Sequence, residues 1–435
     1  MKFLMILLFS FGLFNFCSNS LYMVCFFMFF FMVVNINLFF NLWVSIYSIF
    51  SVDFYSFYLL LLSLWIIGII MMIKMSNLSL MLMLFLLMVL VLSFSTFNLL
   101  MFYFLFEVSL LPIFLLIMFD GYTFERFESA LYMFFFTMIS SMPFLVIMLD
   151  LYNNLKTLMF FILELNIYKM WTMNFVFLMM VFFVKMPMYI VHIWLPKAHV
   201  EAPVYGSMIL AGVLLKLGSY GMLRMIQLFY LNMENVMWYF ISLGLVSGVI
   251  LSMICLIQVD MKMLVAYSSV VHMSLLIASL SSMSKIGFIG SYLMMIGHGL
   301  CSSGLFYIVN ISYSRVSSRL IYLNKGLINL NSSLSMWWFL LCVSNFSAPI
   351  TLSLIGEVFM LMSLISLDLI LIIFLMLMSF LSASYSLYLY SLTQHGSMNF
   401  MNFNFVSVKV KEYLVLFLHW FPLNMLTFSL NFFMI

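Results

Sequence analysis

Residues 54–73, FYSFYLLLLSLWIIGIIMMI, run for twenty positions without a charged side chain. Wound as a helix at about 1.5 Å per residue, such a run is ~30 Å long, the thickness of a bilayer's hydrocarbon core. Working outward, residues 78–97 and 99–118 repeat the pattern, broken only by Glu107. A membrane-spanning barrel strand alternates apolar and polar residues; these runs are continuously apolar, so they read as helices. The whole chain of 435 residues agrees, being 67% hydrophobic and 7% charged. A soluble domain carries about a quarter charged residues to solvate its surface. Too few are present here, so lipid is the solvent, and the fold class is an all-α polytopic transmembrane bundle.

Fourteen spans follow from hydropathy: 2–16, 21–40, 54–73, 78–97, 99–118, 130–149, 174–195, 203–225, 236–256, 263–283, 286–311, 335–362, 369–391 and 413–432. The linkers are too short for a soluble catalytic domain, and 155–168 reads as a surface-lying segment. Loop Lys and Arg number nine after odd-numbered spans and five on the other side, Lys262 among the nine and Arg224 among the five. That excess places the odd loops on the matrix or cytoplasmic side. Scattered cysteines without a CxxC pair argue against zinc and iron–sulfur ligation. No cleavable targeting segment is evident. The abundance of Met and Phe suits an AT-rich genome such as that of an animal mitochondrion.

Four charges sit inside spans, where an ionised side chain costs about 2.5–3.5 kcal/mol on insertion scales. They are Glu107 in FYFLFEVSLLP, Lys185 in VFFVKMP, Lys216 in GVLLKLGSYG and Glu357 in LSLIGEVFM. A structural ion pair or a snorkelling lysine is the plain reading of each. Two Lys and two Glu on four spans fit a chain of protonatable groups better than one staple, because burial penalises the charged form and coupling makes each site's protonation depend on the next. Pro187 lies two residues after Lys185, and Pro349 eight before Glu357. A proline leaves a carbonyl unpaired, tolerated within a membrane only against protein or a water-lined cavity. Two broken helices, each carrying an ionisable residue, have the look of a transporter with internal repeats; a packing kink is the plainer alternative. His192, His199, His272 and His298 lie in or beside spans as relay or structural groups, and His298, in GHGLCSSG, is the stronger relay candidate.

The run KMPMYIVHIWLPKAHVEAPVYGSMILAGVLLKLGSYG (185–221) resembles the antiporter-like subunit family of mitochondrial NADH:ubiquinone oxidoreductase (respiratory complex I). So do QVDMKMLVAYSSVVHMS (258–274), GHGLCSSGLFYIVN (297–310), FEVSLLP (106–112) and HWFP (419–422). The resemblance implies about fourteen helices with two inverted five-helix repeats, at 78–225 and 236–391, between N-terminal helices within 1–77 and a last helix at 413–432. By its residues, Glu107 would pair with Lys185, Lys216 and His298 would relay protons, and Glu357, a lysine in the sister chains, would lie on the exit side. Ala348-Pro349 stands where two prolines are usual, and Gly297 where alanine is.

The implied activity is proton translocation as a subunit of the H⁺-translocating NADH:ubiquinone reductase, with redox chemistry elsewhere. FMN, Fe–S clusters and ubiquinone are expected on other subunits, with no cofactor or metal on this chain. The expected partners are the other membrane-arm subunits, including the sister antiporter-like chains, and the lipid bilayer; nucleic acid is not expected. The expected location is the mitochondrial inner membrane. A stand-alone monovalent cation/proton antiporter, or a structural spacer that moves no ion, are the rival functions.

Overall fold

The computed structural model describes residues 21–34, 44–45, 50–121, 123–165, 171–229, 234–397 and 407–433. Apart from a small ribbon of Val44–Ser45 against Ser51–Val52 and isolated bridges, the regular structure is helical. Ten helices among the described residues are long and apolar enough to cross a membrane. The span expected at 2–16 lies outside the described residues, and the next is described as Leu21–Val34. The expected 130–149 and 286–311 spans extend to Arg126–Leu155 and Lys285–Val316, because polar residues at their ends continue the helix beyond the apolar run.

Local chemistry sets the helix starts. Asp53 opens the Phe54–Met71 helix with a capping box: its carboxylate accepts from the Ser56 amide at 3.1 Å, and its own amide donates to the Ser56 hydroxyl at 2.9 Å. These bonds occupy amides that a helix end otherwise leaves unpaired. Asn98 caps Leu99–Val108 by accepting from the Leu100 amide at 3.1 Å.

Both expected breaks are present. Thr172–Lys185 ends two residues before Pro187, and helix resumes at Trp194–Glu201 after Ile190 takes a φ of 85°. The run read as 335–362 divides into Ser332–Asn345 and Leu352–Ile365, with Ser347 at φ 56° and Ile350 at φ 73° between them. A third interruption falls inside the expected 99–118 span, where Leu99–Val108 stops at Ser109 and Leu110–Asp120 begins. Pro112 lacks the amide that would close onto the Val108 carbonyl, which loosens that turn. A fourth irregularity carries no proline: Leu210–Leu214 is a π-helical turn inside Val204–Phe229.

The chain forms two compact units, Met1–Lys185 with Glu201–Glu234, and Met186–Val200 with Asn235–Ile435. In the first, Phe54–Met71 packs on Leu21–Val34 and Asn77–Ser95, and Thr172–Lys185 on Arg126–Leu155 and Leu215–Phe229. Gly221 is required at this last contact, because a Cβ there would overlap the Phe182 ring. In the second, the Lys285–Val316 helix is the centre, packed by Leu352–Ile365, Met261–Ser281, Ser332–Asn345 and Val410–Met425. A Cβ on Gly290 would lie 2.8 Å from the Met360 amide nitrogen, and one on Gly356 3.0 Å from that of Met294. Small residues on both helices thus let the two backbones approach closely, a general device of helix pairs in lipid.

Candidate functional site

In the first unit, Lys185 ends its helix at the break before Pro187 and is 3% exposed. Its Nζ donates to the Phe106 carbonyl at 2.6 Å and lies 3.0 Å from the Phe106 ring centroid. That carbonyl also accepts from the Ser109 hydroxyl at 2.6 Å, at the point where Leu99–Val108 is interrupted. Glu107 follows directly, with Tyr103 and Ser141 beside it and its charge acting on Lys185. Both its carboxylate oxygens are enclosed, with the Ser141 side chain beside them. Backbone oxygen and aromatic face thus hold the ammonium while the carboxylate acts from alongside, a softer arrangement than a direct ion pair.

Lys216 is fully buried, two residues after the π-helical turn, and its Nζ donates to the Ala211 carbonyl at 2.6 Å. A π turn moves amides out of the i−4 register and leaves a carbonyl for a side chain, and such turns recur at functional sites. Lys185 and Lys216 are therefore both held by carbonyls at helix irregularities.

In the second unit, Glu357 lies just inside the restarted Leu352–Ile365 helix. Its Oε2 accepts a hydrogen bond from the Ser347 hydroxyl, and its Oε1 lies 3.3 Å from His272 Nδ1. The His272 and His298 ring centroids are 5.6 Å apart, so Glu357, His272 and His298 form one polar cluster. Ser302 donates to the His298 carbonyl at 2.6 Å, and its hydroxyl is therefore engaged with backbone. His192 stacks on Tyr189 at 5.4 Å and His199 on Phe306 at 4.5 Å, as packed aromatic groups.

Arg224 and Lys262 are not the loop charges that hydropathy makes them, being 3% exposed each within helices. Arg224 forms a buried ion pair with Asp53 and donates to the Tyr220 hydroxyl at 3.1 Å. Lys262 and Arg319 both reach the Val200 carbonyl, at 3.3 and 3.4 Å. The loop-charge counts used for orientation each lose one member for this reason, and the excess itself is unchanged. Sequence reasoning also missed Ser347, which carries no signal beyond its place before Pro349, and His419. The latter is fully buried, with Nδ1 3.1 Å from the Ser303 hydroxyl.

Residues 96–382 match the family described as NADH:quinone oxidoreductase/Mrp antiporter, TM. The NADH-ubiquinone oxidoreductase chain 4 of Ceratitis capitata is 44% identical over 343 residues, covering 78% of this chain and 76% of that protein. The chain 4 protein of Aedes aegypti is 51% identical over 268 residues, 61% of this chain and 60% of that protein. Among solved structures, a chain of respiratory complex I from Thermus thermophilus with bound NADH superposes with a TM-score of 0.87 at 19% identity, covering 99% of this chain and 97% of that one. A chain of the Mrp complex from Dietzia sp. gives 0.80 at 14% identity over 91% of this chain and 79% of that one. At such identities the superpositions establish the shared fold.

Proposed function

The chain belongs to the NADH:quinone oxidoreductase/Mrp antiporter family, and from that premise we propose that it is a proton-translocating subunit of respiratory complex I in the mitochondrial inner membrane. The observation that carries this reading is the pair of buried lysines, each bound by a backbone carbonyl at a helix irregularity. A carbonyl binds the ammonium well and the neutral amine less so, which makes each lysine a place where a proton can rest and leave.

Ionised Glu107 stabilises the charged form of Lys185, since opposite charges attract strongly where water is scarce. Neutralising or moving Glu107 withdraws that attraction, and Lys185 releases its proton toward Lys216. His298 and Glu357 complete the relay toward the opposite face, with His272 beside Glu357. The energy comes from NADH oxidation and ubiquinone reduction on other subunits, where FMN and Fe–S clusters reside. The membrane-arm neighbours, including sister antiporter-like chains, are its partners. The segments 78–225 and 236–391 act as two inverted repeats, between the helices of 1–77 and that of 413–432.

The test is Lys216→Ala in membranes containing the assembled complex, with proton uptake into vesicles measured during NADH oxidation. Loss of the protons attributable to this chain is expected. Unchanged pumping sinks the relay, and sodium-driven proton flux without NADH points to an antiporter instead.

A further inference from the structure

Lys216, Tyr220 and Arg224 follow one another at intervals of four residues, which places them on one face of the Val204–Phe229 helix. All three are buried, whereas Gln227, one turn further on, is half-buried. Arg224 therefore stands between the lysine and the end of the helix, about 12 Å along the axis from Lys216 at ~1.5 Å per residue. Its guanidinium donates to the Tyr220 hydroxyl at 3.1 Å and to the Asp53 carboxylate, and lies 4.9 and 5.7 Å from the Tyr220 and Tyr55 ring centroids. Asp53 opens the Phe54–Met71 helix. By the loop-charge excess, the start of that helix and the end of the Arg224 helix share the side opposite the matrix. A buried ion pair is a poor source of stability, since apolar residues of similar volume commonly do as well or better. Its place at the end of the helix that carries a proton-binding lysine calls for another reason.

We propose that Arg224, held by Asp53, is a charge barrier that closes this end of the first unit to protons from Lys216. The inference rests on the relay reading and adds to it a residue that fixes the proton's route. Without the cation, Lys216, the Tyr220 hydroxyl and the Asp53 carboxylate would form a ladder toward the end of the helix. The phenol would accept a proton on its oxygen while releasing its own, and the carboxylate would receive it. Arg224 removes each rung. A guanidinium does not give up its proton in a protein, so it cannot hand one on. It engages both the Tyr220 oxygen and the Asp53 carboxylate, and it sets a fixed positive charge where a proton would have to pass. A fixed arginine excludes protons and cations from pores by the same means. The proton on Lys216 is thereby left the onward route through His298 and Glu357.

The test uses the assembled complex in vesicles, with proton permeability read from the decay of an imposed pH step and protons stored counted per NADH oxidised. Arg224→Met combined with Asp53→Asn removes both charges and keeps the interior filled. This double variant is expected to dissipate the pH step severalfold faster than the unsubstituted complex and to store severalfold fewer protons, with potassium permeability unchanged. Adding Lys216→Ala should abolish the leak, a dependence that a gap in damaged packing would not show. Tyr220→Phe keeps the charge in place and should leave protons per NADH unchanged, because no proton passes this end during turnover. Tight vesicles from the double variant, or a leak that survives Lys216→Ala or carries potassium, overturn the proposal. So does a loss of pumping in Tyr220→Phe, which decides the matter even where the double variant fails to assemble. Lys216→Ala alone separates the failures. If it stops pumping while the double variant is tight, the barrier alone falls; if it pumps normally, the relay falls with it.

Discussion

The ammonium of Lys185 is bound by the Phe106 carbonyl at 2.6 Å rather than by the carboxylate of Glu107, the next residue along the same helix. Charge and binding group are thereby separated, so the carboxylate can change its protonation without the lysine losing its seat. The Phe106 ring is the second part of that seat, 3.0 Å from Nζ.

Phe106→Leu keeps the carbonyl and removes the ring. A desolvated cation over an aromatic face gains about 2 kcal/mol, so the variant should hold a proton on Lys185 less well. The expected result is a severalfold fall in pumping with normal assembly, measured as vesicle acidification per NADH against the abundance of the complex. Glu107→Gln should lower pumping further while leaving the lysine's carbonyl bond in place.

The Arg224–Asp53 pair makes a different prediction, about stability. Removing one partner strands a buried charge, which costs about 3–5 kcal/mol. Arg224→Met alone should therefore deplete the chain from membranes, and Asp53→Asn should do so by a similar amount. The double variant should recover part of the loss, as thermal denaturation of the purified complex would show. A loss in the double equal to the sum of the two single losses would mean that the pair contributes nothing as a pair.

Why this pair escaped the sequence while Lys185, Lys216 and Glu357 did not is a matter of where apolar runs end. Hydropathy sees a charge as misplaced only when a full turn of apolar residues flanks it on both sides. Arg224 stands one residue before the end of its expected span, 203–225, and Asp53 just before the start of another, 54–73, so neither stands out until the fold brings them together. The π turn before Lys216 was equally invisible, because LAGVL contains no residue that forbids an ordinary helix. The breaks at Pro187 and Pro349 were legible because proline removes an amide wherever it stands. Pro143, inside the continuous Arg126–Leu155 helix, shows that a proline alone does not decide the matter.

The contact between Lys285–Val316 and Leu352–Ile365 should be intolerant of volume. A Cβ at Gly290 meets backbone on the facing helix at 2.8 Å, and backbone cannot rotate away as a side chain can. Gly290→Ala is expected to cost about 1–3 kcal/mol, as overpacking of a close core does. Gly297→Ala, whose Cβ would lie 3.2 Å from the Ser353 amide nitrogen, should cost less. The ranking can be read from the thermal midpoints of the two variants, and a reversed order would mean that the helices are free to separate at Gly290.

The last prediction concerns the turn that carries Ser347 and Ile350, where one residue has a chemical reason to be there and the other does not. Both have left-handed backbone, at φ 56° and 73°. Such a conformation costs a non-glycine residue of order 1–3 kcal/mol, and a β-branched isoleucine adopts it with particular difficulty. Ile350 is 69% exposed, so little packing is lost with its side chain. Ile350→Gly should then raise the thermal midpoint, with pumping unchanged. Ser347→Gly relieves the backbone equally but removes the hydroxyl that Glu357 accepts from. It should leave stability level or improved and still lower pumping severalfold. Since glycine suits both positions conformationally, the difference between the two variants isolates the Ser347–Glu357 hydrogen bond from the turn that presents it. Identical pumping in both would place that bond outside the proton path.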